Sequence, residues 1–219
     1  MSLAEQLSAV ASKASSVIKP EFAAPIAAGH AKFLSTFNAA SVVKPGDKLP
    51  AFTMLNATGQ PVTSASLLAK GGPLLITFYR GEWCPFCNLA IASLQKHLPE
   101  FEARGVTLVA VSPELPNGNM TMTEKHELRF PVLTDLHNAL ARQLGIMYDQ
   151  SGARDFHKSV GIDLEARNGD DSWEVPIPAT LLVDREGVVR NAWVNPDFKT
   201  RLDPKVALAW IDALEMGAN

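Results

Sequence analysis

Residues 74–79 read LLITFY, an apolar run bounded by Gly71-Gly72-Pro73 on one side and Arg80-Gly81 on the other. Its length and its β-branched and aromatic content predict a buried central strand. From Cys84 the period changes: Leu89, Ile91, Leu94, His97, Leu98 and Phe101 recur at helical spacing, and Gly105 stops the helix before a second apolar run over 106–111. The pattern is strand, cysteine-bearing turn, helix, strand. Downstream, 131–133 predicts a third strand, 138–144 a helix and 179–183 (ATLLV) a fourth strand. The DREG turn at 184–187 predicts that 188–194 returns as a hairpin partner, and 204–216 closes as a helix with Pro204 in its first turn.

Ahead of this alternation, Leu3, Leu7, Val10, Ala14 and Val17, then Phe22, Ile26, Phe33, Leu34 and Phe37, lie at helical intervals in an Ala- and Ser-rich stretch. Residues 1–42 are read as an N-terminal helical extension, a packing or dimerisation arm. Lys44-Pro45-Gly46-Asp47 marks a turn, and 43–219 forms the main domain. Between 149 and 178 the pattern breaks down, with Gly152, Gly161, Gly169, Asp170, Asp171, Trp173, Pro176 and Pro178. This stretch is read as an irregular insertion with a short helix over 154–160. It either roofs the cysteine site or is merely solvated.

Composition narrows the class. With 47% hydrophobic and 20% charged residues in 219, the chain can build a core without disulfide staples. A net charge of −3 with no basic block argues against nucleic acid as a partner. No stretch reaches the length of a membrane span, and the N-terminus, with Glu5 early, lacks the basic and apolar regions of a signal peptide. The expectation is a cytoplasmic protein whose two cysteines meet a reducing environment, where paired thiols are catalytic or metal-binding.

Those cysteines form Cys84-Pro85-Phe86-Cys87 at a strand-to-helix junction. A thiolate is the nucleophile, and a helix start stabilises an anion through its free N–H groups and dipole. Cys84 is therefore read as the attacking thiol with a lowered pKa, and Cys87, one turn in, as the more buried resolving thiol. Arg80 would favour the thiolate, Glu82 would oppose it if turned inward, and Trp83 would shield it from water or simply pack. Zinc needs about four ligands; the sequence has no second CxxC, and His30, His97, His126, His137 and His157 are scattered, so no metal or cofactor is expected and no histidine is assigned a role. Two inert buried cysteines are the structural alternative.

Several motifs together resemble the peroxiredoxin-like AhpC/TSA branch of the thioredoxin-fold superfamily. They are Gly46-Asp47-Lys48-Leu49-Pro50-Ala51-Phe52, Phe78-Tyr79 before the site, Phe130-Pro131-Val132-Leu133-Thr134-Asp135, and Pro178 through Asp184 with Gly187. The resemblance implies an α/β thioredoxin-like fold, a central mixed sheet flanked by helices. Laid over the peroxiredoxin pattern F-Y-P-x-x-x-T-x-x-C, Cys87 falls at the peroxidatic cysteine, Cys84 at the threonine and Arg80 at the proline. The family's catalytic arginine falls on Pro178, where thioredoxins instead place a cis proline facing the CxxC pair, and Ile177-Pro178 matches that.

The implied function is a thiol-disulfide oxidoreductase that cycles Cys84 and Cys87 between dithiol and disulfide, with Arg80, Trp83, Pro85 and Pro178 shaping the site. Its substrate would be a protein disulfide or a small hydroperoxide, and its reductant a thioredoxin-like dithiol protein or glutathione. One alternative is a thiol peroxidase with Cys87 attacking and Cys84 resolving; another is a redox-responsive binding protein whose 149–178 loop changes with the disulfide. Asp171, Trp173 and Arg201 are further candidates for a substrate pocket, and a homodimer is plausible through the N-terminal arm.

Overall fold

The computed structural model describes residues 1–217, without the side chains of 15–17, so that of Val17 lies outside the described residues. Two helices open the chain, α1 (Leu3–Val17) and α2 (Pro20–Thr36). A hairpin follows, β1 (Thr53–Asn56) and β2 (Pro61–Thr63), then α3 (Ser64–Leu68) and the central strand β3 (Leu74–Phe78). Next come α4 (Pro85–Glu102), β4 (Thr107–Ser112), α5 (Pro116–Lys125), β5 (Val132–Thr134) and α6 (Ala139–Gln143). The 149–178 region is entered through β6 (Met147–Asp149) and contains α7 (Arg154–Ser159), α8 (Leu164–Asn168) and β7 (Glu174–Pro176). The hairpin β8 (Ala179–Val183) and β9 (Val189–Val194) leads to α9 (Pro204–Gly217).

The main sheet runs β2-β1-β5-β4-β3-β8-β9. At its centre β3 pairs parallel with β4 and antiparallel with β8, Phe78 standing opposite Val111 and Ala179. All five β3 residues are buried because both sheet faces are covered. Alternation sends Leu75 to one core and Ile76 to the other. The first core joins β3 to α1, α4 and α9 through Leu3, Leu7, Ile91, Leu208 and Ile211, and contains both cysteines. The second holds Ile76, Phe78, Leu140, Trp173 and Val175. This is the mixed α/β architecture expected.

The N-terminal helices lie against the main body. Ser2 caps α1 in a reciprocal pair with Glu5, and Leu3 and Leu7 bury the inner stripe against α4. Helix α2 packs on residues 151–153 at very short range: a Cβ added at Gly152 would stand 2.9 Å from the Pro25 carbonyl oxygen. Only glycine permits that approach. The 149–178 region is more ordered than its composition suggests, since β6 and β7 pair antiparallel, Tyr148 opposite Val175.

Candidate active site

The site is built at the C-terminal end of β3. Cys84 closes a turn by donating its N–H to the Gly81 carbonyl at 3.2 Å, then serves as N-cap of α4, with Pro85 exposed at the first helical position. The Cys87 and Asn88 N–H groups both donate to the Cys84 carbonyl at 3.0 Å, placing Cys87 in the first turn. Gly81 is required here, because a Cβ would lie 2.3 Å from Trp83 Nε1 and 2.9 Å from the Glu114 carboxyl carbon. Asn88 Nδ2 staples the turn from above, donating to the Glu82 and Cys84 carbonyls at 2.5 and 2.9 Å. The Glu82 carboxylate is held by Lys125 at 2.5 Å and lies 3.6 Å from Arg167, so its charge is neutralised away from the thiols.

Both cysteines are free thiols with no solvent exposure, so neither is the more buried. Two arginines meet them. Arg80 Nη2 donates to Cys84 Sγ at 3.1 Å, and Arg201 Nη2 donates to Cys87 Sγ at 3.0 Å. Arg201 is fixed by Nη1 bonds to the Phe198 and Thr200 carbonyls at 2.7 and 2.6 Å. It belongs to the turn segment between β9 and α9, whose Phe198 ring lies 4.5 Å from the Arg80 guanidinium and 5.9 Å from Phe86.

Burial raises the pKa of a thiol, and at Cys87 it is outweighed by a hydrogen bond from Cys84, by the Arg201 and Arg80 charges and by the Arg80 backbone N–H. Cys87 is held well below the ordinary thiol range. Burial and the hydrogen bond to Cys87 raise Cys84 well above it, although the Arg80 charge works in the opposite direction. Cys84 was expected to carry the lowered pKa, and the structure reverses that order. At Cys84 burial and the hydrogen bond to Cys87 outweigh the Arg80 charge, and its side chain accepts no capping hydrogen bond from the helix that would offset them.

A second expectation also fails. No peptide bond among the described residues is cis, so Ile177-Pro178 is not the thioredoxin-type cis proline. Pro178 is buried at the start of β8, and its carbonyl accepts from Asn195 N–H at 3.2 Å, continuing the β8/β9 hairpin. Trp83 is half-buried, 5.1 Å from the Arg80 guanidinium and 4.8 Å from the His157 ring. Of the further candidates, Arg201 reaches a sulfur. Trp173 is buried in the second core with Nε1 donating to Glu165 at 2.8 Å, and Asp171 is exposed.

Two residues of the 149–178 region escape sequence reasoning. Gln150 Oε1 accepts from Arg80 Nη1 at 3.1 Å, and Gln150 Nε2 lies 2.5 Å from His157 Nε2. Both are buried. Nothing in their spacing from the cysteines marks them, and only an apolar setting for a polar pair inside a structured insertion could have drawn notice. Behind the turn, Glu114 is fully buried, and burial raises its carboxyl pKa; the Glu82 N–H at 2.7 Å and Arg167 at 2.9 Å satisfy it. Among the described residues no cluster of three or more His, Cys, Asp or Glu side chains comes together as a metal site.

This cysteine turn sits in a sheet whose body, residues 45–192, matches the family model described as AhpC/TSA. The chain belongs to the AhpC/TSA family. Among curated relatives, Peroxiredoxin Bcp of Escherichia coli is 24% identical over 169 residues, covering 77% of this chain and 96% of that one. Peroxiredoxin Q of Sedum lineare is 26% identical, covering 70% of each. Against three other bacterial relatives the chain spans 57% to 66% of their length. The crystal structure of Peroxidoxin BcpB from Mycobacterium tuberculosis superposes with a TM-score of 0.61 at 20% identity, covering 78% of this chain and 97% of that one. At that identity the likeness speaks for the fold.

Proposed function

We propose that this protein is a thiol peroxidase in which Cys87 attacks a small hydroperoxide and Cys84 resolves the product. The observation that carries this reading is the Arg201 contact to Cys87, 3.0 Å to a sulfur with no solvent exposure. It supplies an arginine from 201 in place of the family arginine that Pro178 replaces. A buried sulfur beside fixed donors suits a substrate of a few atoms better than a protein disulfide, and guanidinium donors stabilise the developing alkoxide.

The Cys87 thiolate attacks the terminal oxygen of ROOH, forming S–O and breaking O–O, while the Cys84 S–H, hydrogen-bonded to Cys87, gives its proton to the leaving RO⁻. The products are Cys87 sulfenic acid, ROH and a Cys84 thiolate beside Arg80. That thiolate attacks the Cys87 sulfur, S–S forms, S–O breaks, and the departing hydroxide takes a proton from solvent. One negative charge thus passes from Arg201's sulfur to Arg80's. A dithiol protein of thioredoxin type or glutathione then attacks the Cys84–Cys87 disulfide and restores both thiols.

The test is rapid mixing of reduced protein with hydrogen peroxide, followed by the fluorescence of Trp83 and its neighbours. The expected result is oxidation far faster than a free thiol, abolished in Cys87→Ser, with sulfenic acid accumulating on Cys87 in Cys84→Ser. A rate near that of a free thiol, or one that depends on Cys84 and not Cys87, would overturn this reading and leave disulfide exchange as the function.

A further inference from the structure

Arg80 is a fork with one prong on each side of a boundary: Nη2 on Cys84 and Nη1 on Gln150. Gln150 in turn meets His157, and all three side chains belong to residues at most 6% exposed. The polarity of the chain follows from its first member. A guanidinium can only donate, so the amide oxygen of Gln150 faces Arg80 and its NH₂ faces the ring. His157 Nε2 must then accept, which puts the ring proton on Nδ1. That Nδ1 is buried without a hydrogen-bond partner.

A phenylalanine or leucine would fill the place of His157, between Trp83, Phe156 and Trp173, without burying an unpartnered ring N–H, but it would leave Gln150 Nε2 with no acceptor. The histidine is therefore poorly explained by packing and well explained as the acceptor that fixes Gln150. We propose that Gln150 and His157 are positioning residues for the second thiol step: they hold the Arg80 fork so that its free prong meets Cys84 as that sulfur becomes the thiolate that closes the disulfide. This rests on the reading of Cys84 as the resolving thiol. Arg201 takes its orientation from the Phe198 and Thr200 carbonyls, not from Gln150, so the Cys87 step keeps one guanidinium that does not depend on Gln150, beside the smaller effect of the Arg80 charge.

The assignment makes the two steps separable. In Gln150→Leu, Nη1 loses its acceptor and the guanidinium is free to leave Cys84. Reduced protein is mixed with hydrogen peroxide, Cys87 sulfenic acid is trapped with dimedone, and disulfide closure is timed by quench with a thiol alkylator. Closure should slow about tenfold more than sulfenic acid formation, and the pH midpoint for Cys84 alkylation in a Cys87→Ser background should rise by about one unit, the equivalent of that factor. Equal slowing of both steps, or no change in either, in a variant with native near-ultraviolet circular dichroism would overturn the proposal. Should Gln150→Leu not fold, His157→Phe keeps the ring and removes the acceptor, and the same ratio is read. Absence of any Cys87 sulfenic acid in the native chain would count against the peroxidase reading alone, because the Cys84 alkylation midpoint still tests Gln150.

Discussion

Arg201 stands 114 positions after Cys87 in the chain, yet its Nη2 lies 3.0 Å from the Cys87 sulfur. The central sheet makes this possible: β8 and β9 run beside β3, and the turn after β9 returns to the end of β3 where the cysteine turn begins. A charge delivered this way is fixed by two backbone carbonyls just ahead of it in its own turn, so it needs little reorganisation when a thiolate forms.

Removing that charge should be felt at one sulfur first. Arg201→Leu should raise the pH midpoint of Cys87 alkylation and lower the peroxide reaction rate by about 100-fold, the usual cost of losing one fixed donor at a reacting centre. Arg201→Lys should not restore the native rate, because an ammonium cannot bond two carbonyls and a sulfur with the planar fork. Alkylation in a Cys84→Ser background across a pH series measures both.

Acid should destabilise the fold through His157. Burial, then the Arg80 charge, lowers its pKa from 6.5 to about 4. The unfolded chain binds this proton near pH 6.5 and the folded chain only near 4, so stability falls as pH drops through that window and this contribution levels off below it. The loss is about 3 kcal/mol at about 1.4 kcal/mol per unit. Urea midpoints between pH 7 and 4 should show it, and His157→Phe should flatten that part of the curve.

Gly81→Ala should be disproportionate for a single methyl group. The added carbon would fall 2.3 Å from Trp83 Nε1, with the Glu114 carboxyl carbon on another side, so Trp83 must leave its place over Arg80. A destabilisation of about 1–3 kcal/mol is expected from overpacking, read as a lower urea midpoint together with altered Trp fluorescence.

The N-terminal helices should prove integral to stability. Leu7 is 5% exposed in the same core as Cys87, and Leu7→Ala should cost about 2–3 kcal/mol in urea denaturation. A chain lacking residues 1–17 should unfold earlier still. If it matched the native midpoint, α1 would be an accessory and not part of the core.

How far the sequence could be read depended on whether neighbours in space were neighbours in the chain. The β3–α4–β4 unit was legible because LLITFY is buried on both faces and Leu94, Leu98 and Phe101 keep a helical period. The DREG turn announced β8 and β9 for the same reason. The edge hairpin β1–β2 was not legible: its strands are short and mostly exposed or half-buried, so no alternation marks them. The cysteine pair and Arg80 were visible as chemistry, but their order of ionisation was not, since it turns on burial and on Arg201, which the fold brings in from far along the chain. Gln150 and His157 acquire meaning only once Arg80 points at them.

Two guanidinium groups facing one thiolate also bias the protein's oxidation state. Forming the disulfide removes the anion while Arg80 and Arg201 stay in place, each with a prong that had ended on sulfur. The reduced form is therefore the electrostatically favoured one, and the reduction potential of the pair should lie above that of an unassisted dithiol. Every tenfold gained in that equilibrium is about 30 mV. A modest cellular dithiol could then recharge the site after each turnover.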